Sequence, residues 1–113
     1  MLQLNYKKFG SGNQHLIILH GFLGSLDNFQ TIAKALEEQF TIYLIDARNH
    51  GKSPHTNSMS YELMANDIID FCQQHQITKT SIIGHSMGGK TAAYLALIQP
   101  ALIHQLFMVD IAP

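Results

Sequence analysis

The chain has 113 residues, 46% hydrophobic and 13% charged, with a formal net charge of −1. That length fits one domain spanning 1–113 with apolar residues enough for a core, and so even a charge balance offers nothing to nucleic acid or an anionic membrane surface. A lone cysteine, Cys72, excludes an internal disulfide and suits a cytoplasmic setting, no basic-then-apolar leader opens the chain, and its longest apolar run, 92–98, is too short to span a bilayer.

In chain order, Leu2, Leu4 and Tyr6 alternate with Gln3, Asn5 and Lys7, which predicts a half-buried strand, and Gly10-Ser11-Gly12-Asn13 reads as a turn. His15 to His20 is a continuous apolar run bounded by histidines, the pattern of a strand covered on both faces. A loop over 21–27 follows; Asn28 is then placed to cap a helix from Phe29 to Gln39 whose buried face is Phe29, Ile32, Ala33, Leu36 and Phe40. Phe40 to Ile45 is a second buried strand and 47–57 a loop. Ser60 caps the next helix, with Met59 and Met64 at hydrophobic-staple positions and a buried stripe of Met64, Ile68, Phe71, Cys72 and His75. Thr80 to Gly84 is a third strand, and Ser86 to Gln99 a helix apolar nearly all round, hence buried, that Pro100 ends. Gln105 to Asp110 is a fourth strand. Strands alternating with helices predict an α/β fold: a mainly parallel sheet, right-handed crossovers and helices on both faces. The loops at 21–27, 47–57 and 84–88 then share the carboxyl edge of the sheet, where such folds bind ligands.

The stretch Gly84-His85-Ser86-Met87-Gly88-Gly89-Lys90-Thr91 fits two patterns. As G-x-S-x-G it is a nucleophile elbow, with Gly84 and Gly88 small because side chains there would strike the neighbouring strand or helix, and Ser86 lifted above the sheet as nucleophile. A serine needs a base, and the oxyanion formed on its substrate needs at least two donors. One is the N–H of Met87 at the start of the helix; the second is expected from the loop after an earlier strand, where Phe22 N–H is the candidate. As G-x-x-x-x-G-K-T the same stretch is a P-loop, with Lys90 and Thr91 meeting a nucleotide and its magnesium and Asp110 closing a hydrophobic strand. That reading leaves His20-Gly21-Phe22 and the segment from Asp46 to Ser53 unexplained. Seven histidines invite a metal, but no His-x-x-x-His or paired-cysteine spacing occurs, so no metal site is expected. Asp46, Arg48 and His50 are read as loop-ordering residues, His85 as pointing away from Ser86, and His15, His75 and His104 as surface or core-edge residues.

His20-Gly21-Phe22, Asp46-Ala47-Arg48-Asn49-His50-Gly51-Lys52-Ser53 and Gly84-His85-Ser86-Met87-Gly88-Gly89, in this order with a helix between each pair, resemble the α/β-hydrolase superfamily. The run from His20 to Asn28, with Arg48-Asn49-His50-Gly51 and Val109-Asp110-Ile111-Ala112-Pro113, is similar to a small bacterial esterase and acyl-thioesterase branch of it. The resemblance implies cofactor-free hydrolysis of small-molecule carboxylic esters or thioesters, with Asp110 a candidate acid orienting a base histidine. In that family the order is Ser, acid, His, and no histidine follows Asp110. The chain is therefore read as the N-terminal half of such a hydrolase, without the closing strands and lid, and its last apolar strand as an open edge that would self-associate or pair with a C-terminal half. His20 sits at the same edge of the sheet as Ser86 and is a weaker candidate for a substitute base.

Overall fold

The structure, a computed structural model, describes residues 1–109. Asp110 and the Ile111-Ala112-Pro113 tail of the motif lie outside the described residues. The elements are β1 (Tyr6–Phe9), β2 (Gln14–Leu19), a 3₁₀ turn (Leu26–Phe29), α1 (Gln30–Leu36), β3 (Phe40–Ile45), α2 (Tyr61–Gln74), β4 (Thr80–His85), α3 (Met87–Ile98), a second 3₁₀ turn (Pro100–Leu102) and β5 (Ile103–Val109).

The strands form one sheet in the order β1-β3-β2-β4-β5. β2 pairs in parallel with β3 and with β4, β4 pairs in parallel with β5, and β1 alone runs antiparallel, against β3. Strand parity sorts the core. Leu16 and Ile18 of β2 and Ile42 and Leu44 of β3 face one way and pack with Leu26 and Ala33 beneath α1. Ile17, Leu19, Tyr43, Ile45 and Ile82 face the other way, onto Ala65, Ile68 and Phe71 of α2 and Ala92 and Leu95 of α3. The period-two alternation thus puts α1 on one face and α2 and α3 on the other. The chain steps from β2 to β3 on one side and then crosses back to place β4 on the other. The carboxyl ends of β2 and β4 therefore flank a topological switch point, where a crevice opens.

The core matches the sequence pattern, and the differences have local causes. The first strand begins at Tyr6 rather than Leu2, because Asn5 turns to Asp46: its carbonyl accepts from the Asp46 N–H at 2.9 Å and its amide donates to the Asp46 carboxylate at 2.9 Å. Leu2 and Leu4 then lie on the α2–α3 side of the core without strand pairing. The first helix is shorter than expected and starts from a different cap. Ser25 holds that position: its N–H donates to Asn28 Oδ1 at 2.9 Å and its Oγ accepts from Asp27 N–H at 3.4 Å, so Asn28 is the reciprocal member of a capping box. A 3₁₀ turn consequently precedes α1, and Ile32, expected inside, is 44% exposed. Ser60 caps α2 as expected, accepting from Leu63 N–H at 3.1 Å. α3 is buried as far as Leu95 and open at its last turn; Leu97 is 82% exposed and Ile98 also faces outward.

Candidate active site

Residues 84–90 turn the chain from β4 into α3 without an intervening loop. Ser86 alone makes the turn, with φ 53° and ψ −109°, a left-handed conformation costly for a side-chain-bearing residue by roughly 1–3 kcal/mol. Its N–H donates to Val109 O at 2.9 Å and its carbonyl accepts from Lys90 N–H at 3.0 Å, so β5 and the first turn of α3 hold the strained residue from both sides. A Cβ on Gly84 would lie 2.5 Å from Gly88 O and 2.6 Å from Gly89 Cα, and one on Gly88 would land on the Leu19 carbonyl oxygen. Both glycines are thus required by backbone-on-backbone approach, one against the helix and one against β2.

The same geometry removes the P-loop. A phosphate cradle needs an extended loop between strand and helix, with backbone N–H groups turned inward. Here the helix starts at Met87, Lys90 N–H is bonded to Ser86 O, and Thr91 is buried with its hydroxyl donating to Met87 O at 3.0 Å. Thr91 is turned into the fold and the loop that the motif needs is replaced by the first turn of the helix, so the sequence match to that motif is a coincidence of spacing.

Ser86 opens into a cleft of about 430 Å³ lined by Phe22, Met59, Tyr61, Met64, Met87 and Lys90 among others. Phe22 comes from the loop after β2, which the register of Leu19 opposite Gly84 sets beside the elbow. Phe22 and Met87 both line the cleft that holds the serine, and neither N–H has a hydrogen-bond acceptor among the described residues. His85 is turned to the other face: its ring lies edge-on to Phe29 at 6.1 Å and its Nδ1 occupies the space beside Gly21.

His20, the sequence candidate for a substitute base, is fully committed. Its Nε2 accepts from Ala47 N–H at 3.0 Å, which leaves the proton on Nδ1, donated to Gly21 O at 2.8 Å. Burial, aided by neighbouring His50, holds its pKa below the ordinary histidine value despite the Gly21 bond and the Asp46 charge, so the imidazole stays neutral. It fastens the Phe22 loop to the segment after β3.

That segment is tied down by Asp46, which is buried and accepts from Leu26 N–H at 2.8 Å, Lys52 N–H at 2.9 Å and the Asn5 amide. Burial favours the protonated acid, but the N–H donors of Leu26 and Lys52 and the Asn5 amide outweigh it and keep the pKa low. Gly51, at φ 51°, lies against this carboxylate with no space for a Cβ. Arg48 is buried too. It makes a bidentate ion pair with Asp67 of α2, Nε to Oδ2 at 2.7 Å and an η nitrogen to Oδ1 at 2.9 Å, and donates to Ser58 O at 3.3 Å. His50 Nδ1 lies 3.0 Å from Arg48 O. Asp46, Arg48 and His50 therefore order their loop, as the sequence suggested. Asp67 was not foreseen, although a carboxylate between Met64 and Ile68 on the apolar stripe of α2 is a signal that a buried cation must face it. Cys72 is buried and its thiol is pushed up to about 12 by that burial, so it is inert packing.

Comparison with known proteins bears on the fold and the family. The family model described as alpha/beta hydrolase fold matches residues 14–113. The chain is 50% identical over 100 residues to the sn-1-specific diacylglycerol lipase ABHD11 of Xenopus laevis, covering 87% of this chain and 32% of that protein. It is 40% identical to Esterase YbfF of Escherichia coli, covering 99% of this chain and 46% of the esterase. Among solved structures, a marine microorganism esterase superposes with a TM-score of 0.96 at 48% identity, covering 100% of this chain and 43% of the esterase. The chain thus spans less than half the length of each relative.

Proposed function

The chain belongs to the α/β hydrolase fold family, and from that membership we propose that it carries the nucleophile and oxyanion site of a serine hydrolase for carboxylic esters or acyl thioesters. The observation that carries the reading is the backbone of Ser86, held at φ 53° between two glycines that backbone contacts exclude from being anything larger. Relatives named esterase and lipase support the ester chemistry.

In this reading Ser86 Oγ attacks the acyl carbon, and the carbonyl oxygen, now an oxyanion, accepts from Phe22 and Met87 N–H. The tetrahedral intermediate collapses, expelling an alkoxide or thiolate that takes the proton removed from Ser86. Water then attacks the acyl-enzyme by the same route and frees the acid. The reading calls for a histidine as proton carrier, a role that His20, committed to Ala47 and Gly21, does not fill. Asp110 would orient that proton carrier and stabilise its cation. Without that base, turnover is weak; oxyanion donors and binding alone leave on the order of 10³-fold over water. No helix among the described residues is long and apolar enough to cross a membrane, and the reading needs none.

The test is covalent. A fluorophosphonate incubated with the chain at mildly alkaline pH should modify Ser86, located by peptide mass, and leave Ser86→Ala untouched. Modification of another residue, or none after long exposure, overturns the reading.

A further inference from the structure

Lys90 is the residue that neither the elbow nor the core accounts for. It lines the same cleft as Ser86, one helical turn further along α3, and it is exposed. Phe22, Met59, Tyr61, Met64 and Met87 make most of that wall apolar, and among the described residues Lys90 is the single charged side chain on it. Its position is unfavourable for the helix itself: a cation in the first turn opposes the positive end of the helix dipole, where an acid would be preferred. Neither ion pair among the described residues uses it; Lys7 meets Asp27 and Arg48 meets Asp67. The helix end and the ammonium therefore sum to a positive field at a mostly apolar cleft.

Building on the proposed nucleophile, we propose that Lys90 selects substrates bearing a negative charge, so that the preferred class is an ester or thioester carrying a carboxylate or phosphate within reach of the cleft rim. The apolar wall takes the hydrocarbon part of such a substrate. The ammonium meets the anion, and the orphan N–H groups of Phe22 and Met87 remain for the carbonyl oxygen. Charge recognition by an exposed lysine and a helix end is modest, so the expected preference is about fivefold over a neutral isostere.

Equilibrium binding to the whole 113-residue chain tests this by chemical-shift titration with matched ligands. Monomethyl succinate against dimethyl succinate puts the charge on the acyl side; acetoxyacetate against its methyl ester puts it on the alcohol side. In at least one pair the anion should bind about fivefold more tightly, with shifts at Met87 and Lys90. That preference should vanish in Lys90→Gln, persist in Lys90→Arg and shrink as salt is added. Equal affinities in both pairs, no binding by any of the four ligands, or a preference that survives Lys90→Gln overturns the inference. The titration reads binding without turnover. Unlabelled Ser86 with an intact charge preference would therefore sink the nucleophile reading alone, and labelled Ser86 with no preference would sink this one alone.

Discussion

The two ends of α3 obey different rules. At its start, Gly84, Gly88 and Gly89 pack backbone against backbone with Leu19 and with one another, and Ser86 is held in a conformation it would not choose. At its end, Leu97 is 82% exposed and Ile98 41%. One helix thus runs from a site where a single methyl group has no space to a flank where whole apolar side chains face outward. A steric requirement of the first kind is written in the sequence as glycine, while an apolar residue of the second kind looks the same in sequence whether covered or bare.

The largest effect should come from Gly88→Val. The β-branched side chain meets the Leu19 carbonyl and the His20 backbone, and neither β2 nor α3 can yield without disturbing the central strand pair. We expect a loss of more than about 4 kcal/mol in urea unfolding, among the severest single changes. A loss under about 1 kcal/mol would show that the elbow is less tightly packed than its glycines imply.

Next is Asp67→Ala, which strands the buried Arg48 guanidinium and frees the 46–58 loop from α2. Removing one partner of a buried pair costs about 3–5 kcal/mol, whereas replacing both with apolar residues is often neutral. Arg48→Met with Asp67→Leu should therefore recover most of the loss. An additive double variant would mean that the two side chains are not coupled and that each loss comes from other contacts.

Acid should loosen the closed end of α3 in two steps. His20 is neutral in the fold and its pKa is depressed, so the unfolded chain binds more protons between the two values. Stability present above the ordinary histidine value is lost as pH falls through it toward the folded one. His75, lowered by its burial and by Lys8, adds in the same direction. Asp46, also depressed, contributes stability above the ordinary carboxylate range that is lost only at lower pH, as its folded pKa is passed. Unfolding followed against pH should show both steps, and His20→Gln should shrink the upper one alone. A flat profile across the upper step would deny the neutral His20 clasp.

The sequence carried the closed region well because its constraints are local. The spacing Gly84-x-Ser86-x-Gly88, the run from Leu16 to Leu19 and the stripe Met64-Ile68-Phe71 each state a backbone or packing requirement within a few residues. What it hid were pairings between distant segments. Asn5 leaves the strand pattern because Asp46 takes its amide and carbonyl. Ser25 displaces Asn28 as cap because its own N–H can be returned to Asn28. Arg48 and Asp67 find each other only once β3 and α2 are stacked. The competing P-loop match shows the reverse case: eight residues satisfied the pattern while the helix began too early to make the loop.

The smallest effect on folding should come from the open end, and it sharpens the contrast most. Leu97→Gln removes an apolar side chain that touches little, so the change in unfolding free energy should stay within about 0.5 kcal/mol. Phe107→Lys on the β5 edge should be similarly mild in the isolated chain. Both should nonetheless alter association, because among the described residues β5 is an edge strand with half-exposed apolar side chains, a template for another strand. Sedimentation of the unaltered chain should show mass rising with concentration, and the two substitutions should reduce it together, the lysine more strongly. If the unaltered chain stays monomeric and β5 amides resist exchange as β4 amides do, the open flank is not sticky. The two ends of α3 would then differ in packing but not in what they bind.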